Sequence, residues 1–338
     1  MTDPADADGI RPRHRIGIAA IVQWLSVIAS VAFVGWILAT QAEELRAVFT
    51  LDLRLFALIS VSAIATFVTN GVELQVLARR FDSHVPYRDT VLLGLMVSAL
   101  NYLPMKAGTV INGLIMRSRH GVRLADFAAL TAGSTVIHLW VGAVSAGAFL
   151  LAETREPGLA WSLVLVPTLM VGALVIWGRL RDEGRYAEHG KRMVRLLGRA
   201  VDGMGEIFGD GRLLLVEVAI NFALVMLASM RMALAFEALS LAVPFGSAVV
   251  ATALSIIAAR LSVIPGALGF KEGGAAVGSG AVGIAPGVGL AASVIDRAVT
   301  LVWLLLLGVP ATYYLLRVTG IHLSLSGRVV SSEGGGPQ

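Results

Sequence analysis

Ile264-Pro265-Gly266-Ala267-Leu268-Gly269-Phe270-Lys271-Glu272 interrupts a hydrophobic run, and its reading decides the fold. Proline lacks a backbone donor and clashes with the preceding turn, so a helix entering from residues 245–264 must break here. A second stretch has the same grammar: Asn101-Tyr102-Leu103-Pro104-Met105-Lys106-Ala107-Gly108. Both contain P-x-x-x-G. Each follows an apolar run and precedes small residues, a Gly–aliphatic pair (Gly121-Val122, Gly283-Ile284) and a long apolar segment. Pro104, Gly108, Pro265, Gly266 and Gly269 are the expected hinge residues of two broken helical hairpins.

The composition says where such breaks sit. The 338 residues are 56% hydrophobic and only 15% charged, against about 25% charged in a typical soluble domain. Mean hydropathy is +0.78. That excess is too large for one packed core, which excludes a soluble enzyme and a disordered chain. It predicts an all-α polytopic membrane protein. Cysteine is absent, so neither disulfides nor thiolate metal sites are expected. A net charge of +4 is no nucleic-acid footprint.

About six full spans are visible, near residues 16–39, 54–78, 124–151, 158–177, 213–239 and 290–316. The first is too long for a signal-peptide core and reads as an uncleaved span. With the N-terminus in the cytoplasm, segments 1–15, 79–88, 117–123, 179–212 and 317–338 fall inside and hold 19 of the 27 basic residues. The outer segments hold three, so both termini are expected to be cytoplasmic. Residues 1–15 form a polar tail, 16–320 one transmembrane domain and 321–338 a tail expected to be disordered. The loop 179–212 carries Met193, Leu196, Leu197, Ala200, Val201, Met204, Ile207 and Phe208 at helical spacing, flanked by Lys191, Arg192, Arg195 and Arg199. It reads as an amphipathic connector on an anionic leaflet.

If each hairpin enters and leaves on one side, the first opens to the cytoplasm and the second to the outside. The halves, about 54–151 and 213–317, are then one unit of span, hairpin and span used in opposite orientations. Inverted repeats with broken helices are a transporter signature.

Nine charges lie at membrane level: Glu73, Lys106, Glu217, Arg231, Arg260, Lys271, Glu272, Asp296 and Arg297. Facing lipid, each would cost about 2.5–3.5 kcal/mol. Together that is on the order of 25 kcal/mol, beyond the stability of a typical protein. They must pair, face a cavity or lie near an interface. Glu217, Asn221, Leu224, Ala228 and Arg231 share one helix face, and so do Asp296 and Thr300. His138 sits in a polar stripe with Thr131, Ser134 and Thr135. The expected substrate-binding set is Lys106, His138, Glu217, Arg231, Arg260, Lys271, Glu272, Asp296 and Arg297. Arginine suits phosphate, and Glu272 and Asp296 would orient the bases or carry protons. Alternatively, Arg260, Lys271 and Arg297 pair with Glu272 and Asp296 and lock the bundle, Glu217 and Arg231 make pairs between helices, and Lys106 snorkels to the interface.

At these residues the chain resembles the flippase-like transmembrane region of the lysylphosphatidylglycerol synthase family. Pro265, Gly266, Leu268, Gly269 and Glu272, followed by Asp296-Arg297, match its second element. Asn101, Pro104, Lys106 and Gly108 match its first, while Thr109, Asn112 and Ile137-His138 stand where the family has Glu, Arg and Glu-Arg. The resemblance spans about residues 16–320. It implies binding or moving polar or polyprenyl-linked lipids, without the soluble aminoacyl-transfer domain and hence without lipid synthesis.

Gly278-Ser279-Gly280-Ala281-Val282-Gly283 fits G-x-G-x-x-G, but no strand precedes it, so dinucleotide binding is rejected. No cofactor, metal or catalytic set is expected. The leading expectation is a lipid flippase of the bacterial inner membrane working by alternating access on an anionic lipid. The alternatives are a non-transporting partner in a cell-envelope pathway and an intramembrane lipid-headgroup enzyme. A homo-oligomer or an envelope-biosynthesis partner is also envisaged.

Overall fold

A computed structural model describes residues 52–80, 85–102, 106–152, 157–180, 192–262, 264–319, 321–323 and 329–331. Its helices are α1 (Leu53–Arg80), α2 (Tyr87–Leu100), α3 (Ala107–His120), α4 (Leu124–Ala152), α5 (Pro157–Leu180) and α6 (Arg192–Gly209). They continue with α7 (Gly211–Ala238), α8 (Phe245–Leu261), α9 (Phe270–Ala281), α10 (Pro286–Trp303) and α11 (Val309–Thr319). A π-helical turn at Leu304–Gly308 joins α10 to α11. Within 321–338, Ile321–Leu323 and Val329–Ser331 pair as a short antiparallel ribbon.

The protein is an all-helical polytopic membrane fold. Five helices among the described residues are long and apolar enough to span: α1, α4, α5, α7 and the continuous Pro286–Thr319. They coincide with five of the expected spans. The sixth, 16–39, lies outside the described residues, as does the N-terminal tail. Spans this apolar bury little of themselves. In α5 only Ala160 and Val171 are buried, while Leu169 is 72% exposed. Such a surface suits lipid and not water.

Local chemistry marks the ends. Asp210 caps α7 by accepting from the backbone N–H groups of Arg212 and Leu213, at 3.0 and 3.2 Å. Gly121 ends α3 in the left-handed region (φ 71°), with its own N–H on Arg117 and that of Val122 on Met116. This paired closure satisfies carbonyls the helix leaves open. Pro286 starts α10, where its missing donor matters least.

Two short-helix hairpins sit between long helices: α2–α3 between α1 and α4, and α8–α9 between α7 and α10. Small residues bring their arms together. A Cβ on Gly278 of α9 would lie 2.6 Å from Ala251 Cα of α8, and one on Gly71 of α1 would lie 2.9 Å from Val91 Cα of α2. A core of Ile59, Met232, Phe236, Ala251, Ala275 and Ile295 ties α1, α7, α8, α9 and α10 together. A second core joins α2, α3 and α11 through Leu93, Met96, Ile111, Ile115 and Leu315.

Part of the connector α6 packs on the bundle. Ile207 and Phe208 are fully buried, in a core shared with α4, α5 and α7. A Cβ on Gly178 of α5 would approach Gly205 O of α6 to 2.8 Å. This part of the apolar face packs on protein because glycines on both helices allow a close backbone crossing.

Candidate functional site

The helix breaks face each other. The N–H of Gly266, in the second break, donates to the carbonyl of Asn101, in the first, at 2.8 Å. Both breaks use left-handed backbone: Lys106 at φ 49°, Gly266 at 60°, Ala267 at 50° and Gly269 at 79°. Gly266 admits no side chain, because a Cβ would lie 2.6 Å from the Tyr102 ring. The carboxamide Oδ1 of Asn101 accepts from the N–H of Thr109 at 3.2 Å and so caps α3. Gly108 lies against Val97 of α2, leaving no space for a Cβ. Pro104 lies outside the described residues, and Pro265 opens a single 3₁₀ turn, Pro265–Ala267.

Glu272 and Arg297 hold the second break. Glu272 Oε2 accepts from Gly269 N–H at 2.8 Å, and Oε1 lies 2.5 Å from Arg297 Nε. Arg297 Nη1 donates to the carbonyl of Gly266 at 2.9 Å. Both side chains are buried. A second buried cluster centres on Asp296. One of its oxygens accepts from Arg231 Nε at 2.7 Å and the other from Lys271 Nζ at 2.6 Å. Arg231 also donates to the Thr66 hydroxyl, at 2.5 Å.

Between the breaks lies a cavity of about 580 Å³, within the usual range of ligand sites. Six of the nine expected site residues line it: Lys106, His138, Arg231, Arg260, Lys271 and Asp296. Glu217, Glu272 and Arg297 do not. The polar wall includes a group not in the expected set, Glu73, whose Oε1 accepts from the Ser134 hydroxyl at 2.6 Å and from Asn221 at 3.2 Å. Asn221 Oδ1 lies 2.6 Å from His138 Nδ1. Asn101, Tyr102 and Thr66 complete that wall.

The cations divide into two kinds. Arg231, Lys271 and Arg297 are ion-paired, the first two sharing Asp296 and the third with Glu272. Lys106 and Arg260 have no ion-pair partner among the described residues, and Lys106 Nζ touches only the Arg260 carbonyl, at 3.4 Å. Of the two α7 charges expected to pair between helices, only Arg231 does so among the described residues. Arg231 turns to Asp296 on α10, and Glu217 is buried with neither oxygen hydrogen-bonded.

Two helix breaks meet over a charged cavity, and they hold the residues that carry the family resemblance. A family model described as the lysylphosphatidylglycerol synthase TM region matches residues 23–308. The chain belongs to that family. The match covers all of α1–α10, and so both hairpins and the whole cavity wall. Neither the curated proteins nor the solved structures include a match. Within this lysylphosphatidylglycerol synthase TM-region fold, Glu272 and Asp296-Arg297 of the second element serve as braces of the break and of the α7–α10 contact. Thr109, standing where the first element has Glu, donates to Asn101. The sequence marks Glu73 as a membrane-level charge but does not place it at the site, because its partners Ser134 and Asn221 lie 61 and 148 residues away.

Proposed function

We propose that the protein binds and translocates a polar, anionic or polyprenyl-linked lipid across a bacterial inner membrane, as a carrier rather than an enzyme. The observation that carries this reading is the pair of uncommitted cations, Lys106 and Arg260, on the wall where the two breaks meet. An unpaired charge at membrane depth is expensive and is kept for a substrate or ion pathway. The cavity wall holds four cations and two carboxylates, Glu73 and Asp296, so it favours an anion. A lipid phosphate could sit between the ammonium and the guanidinium while its acyl chains lie outside the hairpins.

The order long helix, broken hairpin, long helix occurs twice, and the arginine bias of the loops would orient the two copies oppositely. Inverted repeats move against each other around a site at their interface. This supports alternating access as the mechanism.

The test is translocation of fluorescent phosphatidylglycerol in phosphatidylcholine proteoliposomes. Each charge-assisted hydrogen bond contributes about 1.5–3 kcal/mol. Lys106→Gln and Arg260→Gln should therefore each weaken lipid retention roughly 10- to 100-fold, read by native mass spectrometry of co-purified lipid. The double variant should stop translocation. A double variant with wild-type rates and wild-type bound lipid overturns the reading.

A further inference from the structure

Of the nine membrane-level charges, Glu217 is the one that neither lines the cavity nor forms an ion pair among the described residues. It lies on α7, is 0% exposed, and neither carboxylate oxygen meets a hydrogen-bond partner among the described residues. A carboxylate in that state cannot remain as a bare charge, since burial without partners is prohibitive. Something must neutralise it. The geometry excludes a metal ion, because hard cations need about six or more oxygen ligands. Glu217 has no polar atom within bonding reach, and no group of three or more metal-ligating side chains occurs among the described residues. A proton needs only one oxygen.

We infer that Glu217, acting with Glu73, is the proton-binding site that couples lipid movement to the proton gradient. This rests on the lipid-carrier reading for its purpose, though not for the site itself. Several charged or titratable groups lie on helices packed against α7: Glu73 on α1, His138 on α4, Glu206 on α6, Arg260 on α8 and Asp296 on α10. Asp296 is committed to Arg231 and Lys271, and Glu206 lies near Arg80. Glu73 is the group whose charge acts on Glu217.

Asn221 joins Glu217 to Glu73, which lines the cavity. Glu217 is one helical turn from Asn221, whose carboxamide donates both to the Glu217 backbone carbonyl, at 2.9 Å, and to Glu73 Oε1. Glu73 and His138 face the cavity, and Glu217 does not. The Glu73 charge also interacts with Arg260. An anion arriving at Lys106 and Arg260 competes with Glu73 for that cation. The surplus negative charge is tolerable only while Glu217 already carries its proton, taken up from solvent before the lipid arrives, so proton and lipid load together. Release of the lipid restores the Arg260–Glu73 attraction and returns the proton to solvent. One proton bound and one released per lipid balances the cycle.

Two measurements on the purified full chain test this. The first is difference infrared spectroscopy in lipid nanodiscs, across a pH titration. The wild type should show a protonated-carboxyl C=O band that shifts in D2O, and Glu217→Gln should lose it. The second is fluorescent phosphatidylglycerol transport in phosphatidylcholine vesicles under an imposed pH gradient. One proton per lipid gives an accumulation of up to about tenfold per pH unit, and Glu217→Gln should abolish the gradient dependence. Glu217→Leu, which leaves no unsatisfied polar atom, serves both measurements should the glutamine variant fold poorly. Absence of the band in the wild type, its persistence in the folded variant, or unchanged gradient dependence overturns the proposal. A band lost in the variant while no lipid moves even in the wild type keeps the proton site and sinks the carrier reading instead.

Discussion

Asp296 shows what one carboxylate does for this bundle. It holds Arg231 of α7 and Lys271 of α9, and its side chain and that of Arg231 are 5% and 8% exposed. Removing one partner of a buried pair leaves an uncompensated charge and costs about 3–5 kcal/mol. Asp296→Asn should therefore lower the unfolding free energy by that amount, seen as a large drop in detergent melting temperature. Arg123, 67% exposed opposite Asp126, gives the contrast. Arg123→Gln should change stability by less than about 1 kcal/mol, because water screens the pair. That the membrane-level charges must pair or face a cavity was legible from cost alone. Their partners were not. Arg231 and Asp296 are 65 residues apart, and nothing in the local pattern says which helix packs against α7 at Arg231. Arg297 was expected on equal terms at a phosphate or in a lock, and its carbonyl contacts with Gly266 and Ala267 place it in the lock.

At the scale of elements, spans were readable because twenty apolar residues leave few alternatives in a bilayer. The breaks were readable because proline and glycine act locally. What the pattern hides is which glycines mark a close crossing. Gly273 and Gly278 are both in α9, both in an apolar, small-residue context. A Cβ on Gly273 meets nothing within 4 Å, whereas on Gly278 it lies 2.6 Å from Ala251 Cα and 2.9 Å from the Val250 carbonyl. Backbone atoms cannot move aside as side chains do. Gly278→Ala should force α8 and α9 apart and destabilise by about 1–3 kcal/mol. Gly273→Ala should stabilise by about 0.5–1 kcal/mol, since it removes helix-opposing backbone freedom. Melting curves of the two single variants decide the matter, and equal shifts would mean that the hairpin arms are not in contact. The same effect explains α6. Its apolar face was legible from periodicity, but the glycines of α5 and α6 that draw it onto the bundle carry no periodic signal.

At the scale of the whole molecule, the carrier reading requires the two halves to move against each other. Their contact includes α4 of the first half and α8 of the second. A Cβ on Gly142 of α4 lies 4.0 Å from Ala253 Cβ of α8, with no other atom within 4 Å of it. That separation falls inside the range a disulfide spans between Cβ atoms, about 3.5–4.5 Å. The chain has no cysteine of its own, so a Gly142→Cys/Ala253→Cys pair is the sole thiol pair in the protein. Oxidation with a membrane-permeant reagent should cross-link the variant, detected as a mobility shift after proteolysis between α4 and α8. Packed interfaces switch between discrete arrangements instead of deforming smoothly, so a bond fixing α4 to α8 should hold one arrangement. Lipid translocation should then stop in the oxidised protein, return on reduction, and persist in both single variants under the same oxidant. Full translocation by the cross-linked protein would mean that lipid passes without relative motion of the halves. The cavity would then be a fixed groove, and alternating access would be the wrong description of this bundle.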